Sequence, residues 1–145
     1  MILYLDTSAL VKLYVEEEHS AFVRRTASAA SARVSNDIAY VECCAAFGRR
    51  RRDGSLAAGD HARCRRQLDR DWEGFHVVSV APALIRRAAK LAEDQALRAY
   101  DGIHLAAAEV ALGVAKGRVD FGFAVFDARL AAAARANALP VLAPA

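Results

Sequence analysis

The chain has 145 residues, of which 55% are hydrophobic and 26% are charged, and its formal net charge is +3. This length is the commonest for a single domain with its own core, so we expect one globular domain over residues 1–145. Charged residues interrupt every apolar run before it reaches 18 residues, and no basic region leads into an apolar core at the N-terminus. This argues against a membrane span or a secretory signal and predicts a cytoplasmic protein with no membrane partner.

The cysteines Cys43, Cys44 and Cys64 form neither an even set nor a Cys-x-x-Cys pair, and no histidine stands at zinc-ligand spacing. We therefore expect reduced, structural cysteines. The mildly positive charge is compatible with a polyanionic partner without requiring one.

Hydrophobic periodicity predicts strands that alternate with helices in the first half of the chain. Ile2 to Leu5 is an apolar run typical of a buried strand, and helix-capping residue types follow it at once. The predicted elements in chain order are a strand at 2–5, a helix capped at 6–8, a short helix at 20–31, a strand at 33–35, a helix at 38–52 and a polar helix at 58–72.

The second half of the chain continues this alternation. Residues 102–115 are apolar almost all round, which predicts a helix buried at the centre of the domain. The other predicted elements are a strand at 75–80, a helix with apolar positions 84, 88, 91 and 92, a strand at 121–126, a helix at 127–137 and a strand at 140–142. Such alternation implies an α/β fold whose sheet is mostly parallel and covered on both faces.

Asp6 and Asp127 each follow a predicted strand and precede a predicted helix. Ligands of open parallel sheets bind at this edge, beyond the carboxyl ends of the strands, so both aspartates are candidate site residues. Helix capping is an alternative explanation of each, since a capping aspartate accepts backbone N–H bonds for about 1 kcal/mol of stability.

Glu42 is the only charged residue between Ile38 and Gly48. A carboxylate on such an apolar helix face costs on the order of several kcal/mol of desolvation, or takes up a proton, unless it has a partner. Glu42 is therefore a candidate site residue. The alternatives are a side chain that reaches solvent along the helix edge and one that pairs with an arginine.

Asp101 precedes the nearly all-apolar helix and lies at the tip of its buried stripe. A role as N-cap or first-turn residue is the structural alternative. His104 lies one turn further along the same helix, and a lone histidine in an apolar helix is interpreted as a core residue with satisfied hydrogen bonds.

These four acidic side chains would repel one another if they converged, and a hard divalent cation is the usual remedy. The candidate catalytic and metal-binding residues are Asp6, Glu42, Asp101 and Asp127. Carboxylate ligands without cysteine or histidine favour Mg²⁺ or Mn²⁺, which activates water for attack on a phosphodiester. We then expect replacement of Glu42 by Gln to abolish cleavage and, by removing repulsion, to raise stability in metal-free buffer.

Arginines supply a matching hint about the substrate. Arg49 to Arg52 are consecutive, and further arginines follow at positions 63, 65, 66 and 70. They predict contacts to phosphates, with Arg49 and Arg50 as substrate-positioning candidates, although a solvated face near a helix C-terminus is the alternative. Thr7 and Ser8 are further candidates for contacting the metal shell or substrate, and capping explains them equally well.

Four segments in this order and spacing are specific as a set. They are Leu5-Asp6-Thr7-Ser8-Ala9-Leu10 after an apolar strand, Glu42 on an alanine-rich helix, Tyr100-Asp101-Gly102-Ile103-His104-Leu105-Ala106, and Phe126-Asp127-Ala128-Arg129-Leu130 after a buried strand. Over essentially the whole chain, the sequence resembles the PIN-domain ribonucleases, and specifically the VapC-type toxins of bacterial toxin-antitoxin pairs.

The resemblance implies a PIN-like three-layer α/β/α sandwich with a central, mostly parallel sheet of about four to five strands. It implies that the four acids hold Mg²⁺ or Mn²⁺ and cut single-stranded or looped RNA, and that the protein forms a homodimer blocked by a cognate antitoxin. Two features depart from the family pattern: Val125 replaces a usual hydroxyl residue, and an extra segment at 113–122 precedes Asp127. Asp120, in this extra segment, is the alternative to Asp127 as the fourth acid. It comes before the strand, so Asp127 is preferred as the site residue.

Two other functions fit parts of the pattern. An aspartyl phosphatase-like α/β enzyme also carries an aspartate after its first strand, but its motif needs an acid at position 8, where Ser8 stands, and no lysine follows Lys116. The other is a non-catalytic module that binds RNA or a protein partner. A cleavage assay with divalent metal separates these possibilities.

Overall fold

Five short strands form one parallel sheet in a computed structural model, which describes residues 1–144 of the predicted 1–145 domain. The strands are β1 (Ile2–Leu5), β2 (Ala32–Asn36), β3 (His76–Val78), β4 (Phe121–Ala124) and β5 (Val141–Leu142). Their order in the sheet is β3-β2-β1-β4-β5, and every neighbouring pair is parallel. The prediction of a parallel sheet with up to five strands is confirmed.

Helices connect the strands as the periodicity predicts. They are α1 (Thr7–Val11), α2 (Ser20–Ala29), α3 (Asp37–Arg52), α4 (Ala58–Trp72), α5 (Pro82–Gln95), α6 (Ala99–Ala115) and α7 (Ala128–Ala136). The largest differences are at α1, which ends at Val11 although the periodicity predicts a helix that includes Tyr14 and Val15, and at α6, which begins three residues before the predicted position 102. Within residues 1–144, none of these helices combines the length and apolar character needed to cross a membrane.

The sheet separates two apolar cores, because successive side chains of a strand point to opposite faces. Tyr4 packs with Phe123 and residues of α5, α6 and α7, whereas Leu3 and Leu5 pack with residues of α1, α2, α3 and α4. Helices therefore cover both faces, and the predicted three-layer α/β/α architecture is confirmed.

Close packing of α5 against α6 fixes the start of the buried helix. A Cβ atom on Gly102 would lie 2.8 Å from the carbonyl oxygen of Ala88 and 3.2 Å from the Cβ of Ala92. Glycine is therefore required for this approach of the two helices. The packing holds the first turn of α6, which carries Asp101, against the domain.

Parallel strands bring their carboxyl ends to one edge of the sheet, which we call the carboxyl edge. Asp6 follows β1 directly, and Asp127 lies three residues beyond β4. Asp120 lies at the opposite edge, where its carbonyl oxygen accepts a 2.7 Å hydrogen bond from the Ile2 amide at the start of β1. The extra segment at 113–122 lies at this opposite edge too. It consists of the end of α6, the turn after it and the start of β4.

Candidate active site

Asp6 begins α1 from a buried position at the carboxyl edge. Its side chain is only 4% exposed, and Oδ1 caps the helix by accepting a 2.9 Å hydrogen bond from the Ala9 amide. The Ser8 hydroxyl contacts both carboxylate oxygens at 2.7 and 2.9 Å, and itself accepts a 2.9 Å bond from the Phe126 amide. The capping role suggested by the sequence is therefore real, and Ser8 links Asp6 to the segment that carries Asp127.

Burial raises the pKa of Asp6, and the interaction with His104 and the hydrogen bond from Ser8 offset this only in part. The unfolded chain therefore ionises Asp6 at lower pH than the folded protein does. Stability associated with Asp6 is fully present below the ordinary pKa of aspartate and is lost as pH rises through the raised pKa. At neutral pH this carboxyl group favours a cation nearby.

Asp6→Asn is expected to raise the thermal midpoint of the metal-free protein at pH 8, because the amide oxygen still caps α1 without the cost of a buried charge. A gain on the order of 1 kcal/mol raises the midpoint by about 2–4 °C in a domain of this size. Thermal unfolding in EDTA at pH 8 and at progressively lower pH measures it, and the gain should shrink as pH falls. Asp120→Asn at the opposite edge is the control, and an equal or lower midpoint for Asp6→Asn refutes the prediction.

Glu42 of α3 is half-buried and contacts groups from two other helices. Its Oε1 accepts a 2.7 Å hydrogen bond from the Thr7 hydroxyl and lies 2.8 Å from Nε2 of His104. The partners of this carboxylate are thus a hydroxyl and a histidine rather than an arginine, and its side chain keeps 23% exposure to solvent. The hydrogen bond from Thr7 holds Glu42 at the start of α1, the helix that Asp6 caps.

His104 is 2% exposed, and both of its ring nitrogens have partners. Nδ1 lies 3.2 Å from the Tyr4 hydroxyl and 3.1 Å from the amide nitrogen of Asn36, which donates to the Tyr4 hydroxyl at 2.8 Å. With its proton on Nε2, the ring accepts at Nδ1 and donates to Glu42. Each hydrogen-bond donor in the series from Asn36 through Tyr4 and His104 to Glu42 then has an acceptor. The interpretation of His104 as a satisfied core residue is therefore right, but the residue also orients Glu42.

The pKa of Glu42 is lowered, in contrast to that of Asp6. Burial acts to raise it, but the hydrogen bond and electrostatic interaction with His104, together with the Thr7 hydroxyl, outweigh burial. Its charge therefore stabilises the fold above the ordinary pKa of glutamate, and this stabilisation is lost as pH falls. The expectation that Gln at position 42 raises metal-free stability is not supported, and the buried charge that costs stability is that of Asp6.

Arg98, which is not among the predicted site residues, joins the other two acids. Its Nε donates to Oδ2 of Asp101 at 2.9 Å, and its Nη2 donates to Oδ2 of Asp127 at 3.2 Å. Asp101 is buried in the first turn of α6 rather than at its N-cap, whereas Asp127 caps α7 by accepting a 2.8 Å bond from the Leu130 amide. One guanidinium group thus spans acids from two elements.

The four predicted acids therefore lie at the carboxyl edge in three hydrogen-bonded groups, which short stretches of backbone bring together. Ser8 connects Asp6 to the residue before Asp127, and Arg98 connects Asp127 to Asp101. Thr7 and His104 connect Glu42 to the start of α1 and to α6. Tyr4, Asn36 and Arg98 were not predicted as site residues from the sequence; the spacing of Arg98 and His104, one turn on either side of Asp101, was the available signal.

The side chains of these four acids suit a hard divalent cation, since their potential ligand atoms are carboxylate oxygens. Hydrogen bonds within residues 1–144 engage Oε1 of Glu42 and Oδ2 of Asp101, and leave Oε2 and Oδ1 of these residues for another ligand. Among the same residues, no three acidic, histidine or cysteine side chains already surround a common point. The carboxylate oxygens thus fit Mg²⁺ or Mn²⁺ in their chemistry. In the described residues the positively charged Arg98 holds two of the four acids.

The arginine-rich end of α3 contributes only part of its charge to the site. Arg50 and Lys12 both pair with Glu17, and Lys12 also lies 4.8 Å above the ring of Phe126. Arg49 is exposed. A depression of about 290 Å³ beside the acids is lined by Thr7, Ser8, Val11, Lys12, Glu17, Ala46, Arg49 and Arg50.

Arg65 of α4 belongs to a different cluster. It donates a 2.6 Å hydrogen bond to the Tyr40 hydroxyl, and Asp69 lies within ion-pair distance of it. The predicted basic set therefore divides into a part that borders the acids and a part with local partners.

Comparisons with known proteins agree with this architecture. The model of the PIN domain family matches residues 3–112. Ribonuclease VapC45 of Mycobacterium tuberculosis is 32% identical over 139 residues, which cover 93% of this chain and 90% of that protein. Among solved structures, the chain resembles M. tuberculosis VapC20, described as a toxin that cleaves the sarcin-ricin loop, with a TM-score of 0.65 at 15% identity over 90% of this chain and 94% of that one.

A toxin-antitoxin complex from Klebsiella pneumoniae also shares the fold, with a TM-score of 0.57 at 13% identity over 83% of each chain. The match to the family model spans most of the sequence and includes three of the four acids, and the curated relative is similar over nearly its whole length. The chain belongs to the PIN domain family.

Proposed function

We propose that this protein is a metal-dependent endoribonuclease that hydrolyses phosphodiester bonds in RNA. The observation that carries the proposal is the placement of Asp6, Glu42, Asp101 and Asp127, each held by hydrogen bonds, at the carboxyl edge of a PIN-family sheet. Similarity to a ribonuclease over nearly the whole chain supports the same activity.

Mg²⁺ or Mn²⁺ is the proposed cofactor, with these four acids as its ligands. The chemistry that the bound ion supplies is Lewis-acid polarisation of a phosphate oxygen and an activated water for in-line attack. Ser8 orients the Asp6 carboxylate through both of its oxygens, and Thr7 and His104 hold Oε1 of Glu42. These contacts fix the ligands in advance, so less ordering is required when substrate binds.

RNA enters this proposal through the depression beside the acids. Arg49 and Arg50 line it together with Thr7 and Ser8. Lys12 is a third positively charged lining residue, whereas Glu17 is the one negatively charged lining residue. The surplus of positive charge suits a phosphate next to the scissile one, which would contribute affinity that falls as salt rises.

The biological role that we propose is that of a toxin neutralised by a cognate antitoxin, acting in the cytoplasm and forming a homodimer. The support is similarity: to VapC45 in sequence, and in fold to VapC20 and to the toxin-antitoxin complex from K. pneumoniae. Copurification with the product of a neighbouring gene and the mass of the free protein test the two assembly proposals.

Cleavage of a mixture of structured and single-stranded RNAs tests the enzymatic proposal. We expect cutting in Mg²⁺ or Mn²⁺, none in EDTA, and none for Asp101→Asn, while Asp120→Asn at the opposite edge keeps full activity. Cutting that persists in EDTA and in Asp101→Asn indicates a contaminating nuclease. RNA binding without cutting under all metal conditions favours the non-catalytic module instead.

A further inference from the structure

Arg98 has an unusual position for an arginine that bridges two acids. It occupies the N-cap of α6 but its side chain makes no capping hydrogen bond there. Its two side-chain hydrogen bonds within residues 1–144 go to Asp101 and Asp127, on different elements. The side chain is nevertheless 69% exposed, so it lies over the acids from the solvent side rather than within the core.

The two carboxylates would repel each other without this guanidinium group. Asp101 is buried, and Asp127 already commits Oδ1 to the N-terminus of α7. Arg98 takes Oδ2 of both, and a divalent cation bound between the same two carboxylates would compete for these atoms. Because the guanidinium group of Arg98 is largely in solvent, its ion pairs are screened by water, so a divalent cation can replace it.

Room for the displaced side chain lies directly beside the acids. A depression of about 380 Å³ is lined by Arg98, Asp127, Ala128 and Arg129. An arginine stem can turn into such an open space without disturbing packing, because most of it is already in solvent.

We propose, building on the proposed metal-dependent function, that Arg98 is the resident counter-ion of the metal site. In the metal-free protein it holds Asp101 and Asp127 together, and it gives up both carboxylates when a divalent cation binds. Arg98 therefore stabilises the metal-free protein and weakens metal affinity. It raises the metal concentration that the enzyme needs for activity.

Titration of Mn²⁺ into the wild-type protein and Arg98→Gln, followed by calorimetry, tests this inference. We expect Arg98→Gln to bind Mn²⁺ about three- to tenfold more tightly, the factor that two ion pairs made by a largely exposed guanidinium group represent. Arg98→Lys should fall between the two, since an ammonium group lacks the planar fork that binds two carboxylates at once. Arg129→Gln, which removes a nearby charge that makes no contact with the acids, is the control for general electrostatics.

Thermal unfolding supplies a second measurement. In EDTA, Arg98→Gln should unfold at a lower temperature than the wild-type protein, and in saturating Mn²⁺ the difference should disappear. Equal or weaker Mn²⁺ binding by Arg98→Gln overturns the role of Arg98 while leaving the metal site intact. Absence of Mn²⁺ binding to both proteins overturns the metal-dependent function itself, so the two failures are distinguishable.

Discussion

Replacing Glu42 by Gln is expected to lower the rate of RNA cleavage by at least about 100-fold, the loss typical when a preorganised electrostatic contact is removed. The exchange is nearly isosteric. The amide oxygen of Gln can still accept the hydrogen bonds that Thr7 and His104 donate to Oε1 of Glu42 in the wild-type protein. What disappears is the negative charge that Oε2 offers to a cation. The effect should therefore fall on cleavage far more than on the fold.

Single-turnover cleavage at saturating Mn²⁺ measures this effect, and Glu93→Gln on the exposed surface of α5 is the matched control. Because the pKa of Glu42 is lowered by its partners, its charge contributes stability at neutral pH, and Glu42→Gln should unfold at a slightly lower temperature than the wild-type protein in EDTA. Cleavage at the wild-type rate would remove Glu42 from the site.

Local rules account for the parts of the fold that the sequence predicts well. Asp6 and Asp127 are residue types that begin helices, each follows an apolar run, and each does cap the following helix. Placing both after parallel strands brought them to one edge without any tertiary information. Glu42 could be identified because a single charge on an apolar helix face requires a partner.

The remaining site depends on contacts between distant parts of the chain, which periodicity does not encode. Tyr4 and His104 are 100 positions apart, and Asn36 meets them through a strand order that places β2 beside β1. Arg98 was not among the predicted site residues, and its bridge to Asp127 spans 29 positions. Arg50 likewise finds its partner in Glu17, so a run of arginines overstated the charge free to meet RNA.

His104→Leu is expected to reduce the free energy of unfolding by about 2–4 kcal/mol, because it leaves buried polar groups without partners. The Tyr4 hydroxyl loses its acceptor, and Glu42 loses the donor that holds Oε1. Cleavage should fall by about 10- to 100-fold, as is typical when a residue that orients a metal ligand is removed. Chemical denaturation and the cleavage assay at saturating Mn²⁺ measure the two effects.

A double-mutant cycle with Tyr4→Phe distinguishes a connected network from a simple loss of packing. If His104 and Tyr4 act as one unit, removing the Tyr4 hydroxyl costs less once its acceptor is gone, and the double mutant is less destabilised than the sum by about 0.5–3 kcal/mol. Tyr40→Phe removes a hydroxyl that bonds Asp69 on the surface and should add to His104→Leu within about 0.5 kcal/mol. Additivity in both cycles would show that His104 and Tyr4 do not act as one unit, and that His104→Leu destabilises the protein through lost packing.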